Sequence, residues 1–433
     1  MSGVLHERCN FDDAKPKILF LDTQYTIKMV KERGLEQEFA SRECGGYFGH
    51  VWGVHPIADI PEKRKLNYGG FEISLCEFSQ GQTIIEGESA YFSCFRRFFP
   101  LNFLVSQIRF LFYLIALVRR ERISIVLSTD PYLCGIFGLL IKWVTGTPLV
   151  IWVVANYDDT FKATGKPAMP RLFRRRWLEK IVERCVFRWS NLVAGGNQDN
   201  LEFSLKNGAT LNKTTVFPVG KLIHRHHLVD PRLRDVDGLI LKNKDSYYFI
   251  YVGRLLEVKH PDDVLRAFSV LDRELPSCTL LMAGDGTMRP DLEELARDLA
   301  IYDRVFFLGN VSQERLAKLL AGCFAVFSPL TGRSLIESAL AGLPIVAYDR
   351  DWQSDFVGRS GAGIVVPFRD WRKMGGAAIR LVRQPEEARK MAEASRQKGL
   401  ELCDLEKIYE HERKEYEKLL SGSAVIGRIC RSE

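Results

Sequence analysis

Between Tyr248 and Ala347 the chain repeats one pattern: a short apolar strand, a glycine turn, a helix, then another strand. Tyr248-Phe249-Ile250-Tyr251-Val252 runs into Gly253-Arg254, a short basic loop and a helix opening at Pro261. Proline suits a first helical position, and Asp262 and Asp263 suit the first turn. Val264, Leu265 and Phe268 follow at helical spacing. Leu280 to Gly286, Val305 to Asn310 and Phe324 to Pro329 repeat the strand-to-turn step, and Leu330 to Ala347 adds a helix and a strand. That is the spacing of βαβ units, which build parallel α/β sheets. Such sheets bind ligands outside the carboxyl ends of their strands. The turn after Val252 leaves Arg254 and Lys259 at that edge. Arginine can fork onto phosphate oxygens there, and lysine can act as a point charge. A solvated surface pair is the plain alternative.

A chain of 433 residues is too long for one ordinary core and suits two domains. Residues 1–220 are expected to form the first, 221–246 a charged, poorly periodic linker, and 247–404 the second. Two helices should follow Phe368, Glu386 to Lys398 behind Pro385 and Leu405 to Leu420. The ten cysteines include no C-x-x-C pair, and the start MSGVLHERCNFDD lacks a signal peptide's apolar core. Both features favour a reducing, cytoplasmic setting. The net charge of +7 comes without a nucleic-acid recognition motif, so no nucleic-acid partner is expected. Basic residues flank aromatics at Phe95-Arg96-Arg97-Phe98-Phe99 and at Arg174-Arg175-Arg176-Trp177. That pattern suits an anionic membrane surface and a peripheral position on its inner face, with a solvated helical face as the alternative.

In the first half, Lys17 to Asp22 reads as a strand. Gly45 and Gly46 let backbone approach a ligand or turn sharply. Leu101 to Val118 is the most apolar stretch and approaches a membrane span in length, but Asn102, Gln107 and Arg109 interrupt it. Packed helix, partly membrane-facing helix and spanning helix all stay open. Ile123 to Thr129 and Pro148 to Val154 read as strands. The second runs into Asn156, Asp158 and Asp159, which could be site residues at a strand's carboxyl end or simply a helix cap. Arg171 to Trp189 reads as a basic helix, and Leu192 to Gly196 and Thr215 to Gly220 as strands. His224, His226 and His227 fit no familiar metal spacing, so no metal site is expected.

The motifs from Tyr248 to Phe368 resemble the donor-binding domain of GT-B glycosyltransferases, specifically the retaining family four that uses sugar nucleotides. The resemblance implies two Rossmann-like domains facing across a cleft, with the last helix, about 405–420, returning to an N-terminal acceptor-binding domain. It implies a retaining hexosyltransferase-type enzyme (EC 2.4), a nucleotide-sugar donor, a lipid-linked, polysaccharide or other glycan acceptor, and neither cofactor nor metal. It assigns Arg254 and Lys259 to the diphosphate, with Asp158 a third catalytic candidate. The backbone amides of Ser334 and Leu335 would add a helix end, Thr331, Gly332 and Arg333 would meet sugar hydroxyls, and Glu337 would accept from the ribose. Gly253, Asp285, Gly309 and Val311 would border the nucleotide. Gly45, Gly46 and Asn156 would lie on the acceptor side. Pro329 departs from the pattern, because the family usually carries a glutamate eight residues before the one at Glu337. A non-catalytic nucleotide-sugar-binding subunit and a sugar-nucleotide epimerase are the alternatives on the same fold.

Overall fold

The computed structural model describes residues 15–33, 35–59, 73–79, 81–88, 94, 98–170, 172–234, 237, 246–330 and 332–429. They form two compact units, Met1–Pro218 with Glu406–Glu433, and Val219–Leu405.

The first unit holds β1 (Lys17–Leu21), β2 (His50–Asp59), β3 (Ser74–Ser79), β4 (Gln82–Glu88), β5 (Ile125–Ser128), β6 (Leu149–Val153), β7 (Leu192–Gly195) and β8 (Thr214–Val216). Their order in the sheet is β3-β4-β2-β1-β5-β6-β7-β8. Only β3 runs antiparallel, beside β4. Strands β5, β6 and β7 are buried along their whole length, which is why they read as unbroken apolar runs. The helices are α1 (Ile27–Arg33), α2 (Glu36–Ala40), α3 (Phe99–Arg120), α4 (Leu133–Thr145), α5 (Tyr157–Thr164), α6 (Arg176–Trp189) and α7 (Gln198–Lys206). Phe110 and Leu114 of α3, Phe137 of α4 and Phe187 of α6 share one core with Leu19, Val126, Ile151 and Val193 of the sheet.

The second unit is a six-stranded parallel sheet of β9 (Tyr247–Val252), β10 (Cys278–Ala283), β11 (Val305–Gly309), β12 (Ala325–Ser328), β13 (Ile345–Tyr348) and β14 (Gly363–Val366). The order β11-β10-β9-β12-β13-β14 is the doubly wound Rossmann order, with its switch point between β9 and β12. Its helices are α8 (Arg225–Leu228), α9 (Pro261–Glu274), α10 (Arg289–Asp298), α11 (Gln313–Ala321), α12 (Arg333–Leu340), α13 (Asp351–Ser360), α14 (Trp371–Arg383) and α15 (Pro385–Leu402). Helices α9, α10 and α14 cover one face of the sheet, and α11, α12 and α13 the other. Helix α16 (Leu405–Ile429) belongs to the first unit, where Tyr416 packs on the rings of Phe48 and Phe217.

Three features depart from the sequence expectations. The start of the expected linker is folded into the second unit, so that unit begins at Val219 and ends at Leu405. Ile223 is buried against Ile336 and Leu340, and Arg234 donates to the carbonyls of His227, Val229 and Ala317. Charge hid this packing, because the buried residues there are too few to set a period. Residues 238–245 lie outside the described residues. Strands β2, β3 and β4 extend the first sheet, although Gly53, Pro56 and two histidines mask the alternation of β2. Finally, α6 begins at Arg176, and Arg171 lies outside the described residues.

Arg176 is no part of a solvated basic face. It is 7% exposed and donates to Asp158 at 2.9 Å, to Glu179 at 3.0 Å, to Glu183 and to the Tyr132 hydroxyl. Glu179 and Glu183 are fully buried, so the guanidinium is what makes two interior carboxylates tolerable. Arg176→Met should therefore lower unfolding free energy by about 3–5 kcal/mol, the cost of stranding buried charge. Urea titration checks this. A loss under about 1 kcal/mol would mean that the acids are held some other way.

Candidate functional site

Three glycine turns close the carboxyl edge of the second sheet. Gly253 donates to the Ala283 carbonyl at 3.0 Å, and Gly284 to the Gly309 carbonyl at 2.8 Å. Gly284 sits at φ +141°, and a Cβ there would lie 1.9 Å from the Gly253 oxygen, so no other residue fits. A Cβ at Gly286 would lie 2.3 Å from the Leu255 oxygen. The turns after β9, β10 and β11 are thereby brought into van der Waals contact.

Across the switch point, the Ser334 hydroxyl donates to the Val252 carbonyl at 2.9 Å and ties the start of α12 to the end of β9. The result is a cavity of about 400 Å³. Nine sequence-expected residues line it: Gly253, Arg254, Lys259, Asp285, Val311, Gly332, Arg333, Ser334 and Glu337. Lys259 gets there through a short 3₁₀ turn, Glu257–Lys259, that ends in His260 at φ +50° just before Pro261 opens α9. Gly309 stands one step behind the lining, with its carbonyl spent on Gly284. Thr331 lies outside the described residues.

Leu335 departs from its expected role. Its side chain is buried in the core and its N–H donates to the Gly332 carbonyl at 3.0 Å, so a ligand would have to displace that bond. Asn310, Gln313 and Leu316 also line the cavity and were not expected. The cue available was position: Asn310 follows the Gly309 turn, and Gln313 opens α11 behind the Ser312 cap. Gln313 is held by His227, whose Nε2 lies 2.9 Å from its Oε1. Burial pushes the His227 imidazole down to about 4, so it is neutral near pH 7. His224 caps the backbone of His226.

Glu337 has the most unusual environment. It is 3% exposed, and burial pushes its carboxyl above the usual range, with Arg333 pulling it only part of the way back. The Arg333 Nε lies 3.3 Å from Oε1, but that oxygen receives no properly directed hydrogen bond. Arg333 itself is fixed by a bond to the Leu222 carbonyl at 3.3 Å. Together these groups form a basic, water-accessible cavity with one buried acceptor, a layout suited to an anion that also carries hydroxyl groups.

The candidates in the first unit take structural roles. Asp158 accepts from Arg176 at 2.9 Å, Asn207 at 3.1 Å and Lys180. Burial works to raise its carboxyl, but these three donors outweigh it and hold the group below the usual range. A carboxylate so engaged is a poor base. Asn156 is the N-cap of α5, accepting from the Asp159 N–H at 3.2 Å. Gly45 and Gly46, at φ +62° and +77°, form a turn, and the Arg413 side chain of α16 bonds to the Gly45 carbonyl at 3.4 Å. Asn156 and the glycine pair take the cap and the turn that their plainer sequence readings offered, and Asp158 takes an ion pair that those readings did not include.

Residues 238–398 match the family model described as "Glycosyl transferases group 1". Among curated proteins, the chain is 32% identical over 153 residues to an alpha-D-kanosaminyltransferase of Streptomyces kanamyceticus, covering 34% of this chain and 40% of that protein. It is 27% identical over 231 residues to N-acetyl-alpha-D-glucosaminyl L-malate synthase of Bacillus anthracis, covering 51% and 60%. The chain spans about half the length of the curated relatives it matches. Among solved structures, a sucrose-phosphate synthase from Thermosynechococcus elongatus aligns with TM-score 0.72 at 16% identity, over 94% of this chain and 100% of that one. Anabaena HepE, solved with UDP and glucose, aligns with TM-score 0.65 at 15% identity, over 93% and 100%. The fold is therefore that of the GT-B glycosyltransferases, and the matched family and the named enzymes are glycosyltransferases.

The environment of Glu337 makes a signed prediction. Its folded carboxyl titrates above the ordinary 4.5, so its stability contribution is present below that pH and lost as pH rises through the raised value. Glu337→Gln removes the cost of burying the charge. The variant should melt at or above the parent temperature at pH 7, with the gap closing near pH 4. Calorimetry at both pH values checks this, and a variant that melts lower at pH 7 would show that the Arg333 pair outweighs burial.

Proposed function

We propose that the protein is a retaining glycosyltransferase that moves a sugar from a nucleotide-sugar donor to a lipid-linked, polysaccharide or other glycan acceptor. The observation that carries this reading is the buried, unsatisfied oxygen of Glu337, a residue that lines the same cavity as Arg254 and Lys259. A ribose offers adjacent hydroxyls to such an acceptor, and a diphosphate offers charge to the two cations. The family match, the named transferases and the UDP found in HepE support the same reading.

In this account Arg254 and Lys259 stabilise the diphosphate as its bond to the sugar carbon breaks and its charge grows. The start of α12 adds N–H groups that lack intrahelical acceptors, from the end of a helix that favours anions. The bonding pair leaves with the diphosphate, and the acceptor oxygen bonds to the sugar carbon on the same face. The acceptor's proton passes to the departing phosphate oxygen. This course retains configuration without a protein nucleophile. It needs no metal or cofactor, because the fixed cations balance the leaving charge.

The alternative is a nucleotide-sugar-binding subunit without turnover, which Pro329 favours because it stands where the family resemblance implies a glutamate.

Calorimetric titration with UDP, GDP, ADP and their sugars tests the site. One of these nucleotides should bind, and Glu337→Gln should weaken it by about one to two decades, the worth of charge-assisted hydrogen bonds. Lys259→Ala should lower the transfer rate more than nucleotide affinity, because its work grows toward the transition state. Parent-like nucleotide binding by Glu337→Gln would remove the ribose role. Tight donor binding with no transfer to any glycan acceptor would favour the binding subunit.

A further inference from the structure

Helix α3 is inside out over its first three turns. Asn102 and Ser106 are fully buried and Gln107 is 4% exposed, whereas Leu104 is 54%, Ile108 45% and Phe112 68% exposed. The buried amide of Gln107 donates to the Pro56 carbonyl at 3.2 Å, and the Ser106 hydroxyl to the Asn102 carbonyl at 2.9 Å. Leu101, Leu104, Ile108, Phe112 and Ala116 make one exposed file at helical spacing. A helix covering a sheet in water presents the opposite polarity.

The surroundings identify what covers the file. Arg109 is exposed beside it, and Arg119, Arg120 and Arg122 are exposed at its carboxyl end. There the Arg119 guanidinium donates to the Val144 carbonyl at 3.0 Å, and the Lys142 ammonium to the Trp189 carbonyl at 2.5 Å. Trp143 and Trp189, at the ends of α4 and α6, are 56% and 54% exposed. Apolar residues, arginines and tryptophans together match the acyl, phosphate and headgroup levels of a bilayer surface. Pro100–Arg120 is long and apolar enough to cross a membrane, but 44% of its apolar window is buried within the protein, and Arg109 sits near its middle. Such a helix lies in the interface plane instead of crossing. A protein partner fits less well, because a stable interface takes about 800 Å² from each side with charge excluded from its centre. The α3 file is bordered by exposed arginines.

We propose that α3, with the carboxyl ends of α4 and α6, docks the first unit on an anionic lipid bilayer. The inference uses no residue of the α12 cavity, so it stands or falls apart from the donor-site reading. It adds to the membrane contact expected from sequence, of which Phe98, Arg174, Arg175 and Trp177 are exposed. Phe95, Arg96 and Arg97 lie outside the described residues, and Arg176 is buried in ion pairs.

Flotation of the full chain on phosphatidylcholine vesicles, with and without phosphatidylglycerol, tests the proposal. The parent should float with the anionic vesicles and be released by high salt. Leu104→Ser with Phe112→Ser should lower the bound fraction by about tenfold or more, since both lost side chains would sit among acyl chains. Arg120→Gln with Arg122→Gln should abolish the preference for anionic lipid. Circular dichroism melts of each variant confirm folding. Equal flotation of the serine variant and the parent would overturn the proposal. So would a parent dimer, seen by light scattering, that the serine substitutions dissolve while neither protein floats.

Discussion

The contact between the Gly253 oxygen and the α-carbon of Gly284 is what the rest of the second unit is arranged around. A methyl group at Gly284 would lie 1.9 Å from that oxygen. Because neither turn carries a side chain toward the other, the turns after β9 and β10 can share a hydrogen bond and form a continuous floor. The floor fixes where Arg254 stands, since the Tyr251 hydroxyl donates to the Arg254 carbonyl at 3.0 Å from within the core. It also leaves α12 free to approach from the other side of the switch point, where Ser334 closes the contact. Preorganised charge acts in catalysis only when it need not be rearranged as the reaction proceeds, and this packing supplies that rigidity.

The two sheets share a winding pattern but treat their switch points differently. In the first unit the point lies between β1 and β5, and a buried ion pair stands there. Asp22 at the end of β1 pairs with Arg42, both nearly buried, and Thr129 at the end of β5 lies 3.4 Å from Asp22. The Arg42 guanidinium stacks over Phe20, Tyr25 and Phe39 at 4.6, 5.0 and 4.7 Å. Cation and anion are matched within the protein there, so the charge is neutralised internally. In the second unit, Arg254 and Lys259 face a cavity whose acids are Asp285 and Glu337. The same topology thus carries a matched ion pair at one switch point and a cavity lined by two cations at the other, and the difference lies in a few side chains.

Legibility in the sequence followed the range of the interactions. The second unit could be read because each βα unit is local: strand, glycine turn and helix start lie within about a dozen residues of one another. Its cavity residues could be placed for the same reason. Asp158 could not be placed because what engages it is distant. Arg176 lies 18 positions from Asp158, and Asn207 lies 49. The file on α3 could not be read at all, because nothing local says which side of an apolar helix meets the sheet. The folded start of the expected linker was hidden likewise, its apolar contacts resting on partners such as Ile336 more than a hundred positions on.

Pro329 marks where chemistry and architecture meet. It is buried, has no N–H to offer, and its carbonyl accepts from Gln353 Nε2 at 2.8 Å. Gln353 is 2% exposed and also donates to the Tyr348 carbonyl at 3.2 Å. The loop from β12 to α12 is thus held by its backbone at the point where the resemblance implies a carboxylate. A proline fixes one dihedral and a buried amide fixes the carbonyl, so the backbone at Pro329 is set without charge. The acceptor chemistry of the cavity must then come from the acids that line it. Asp285 is the exposed one, with one oxygen on the Gly286 N–H at 2.8 Å and the other 3.9 Å from Arg289. Glu337 is the buried one, a carboxyl kept in the interior at a cost to stability and left with an oxygen that receives no directed hydrogen bond from Arg333. A buried acceptor of that kind is expensive unless a ligand completes it, and that asymmetry argues for binding more strongly than the cations do.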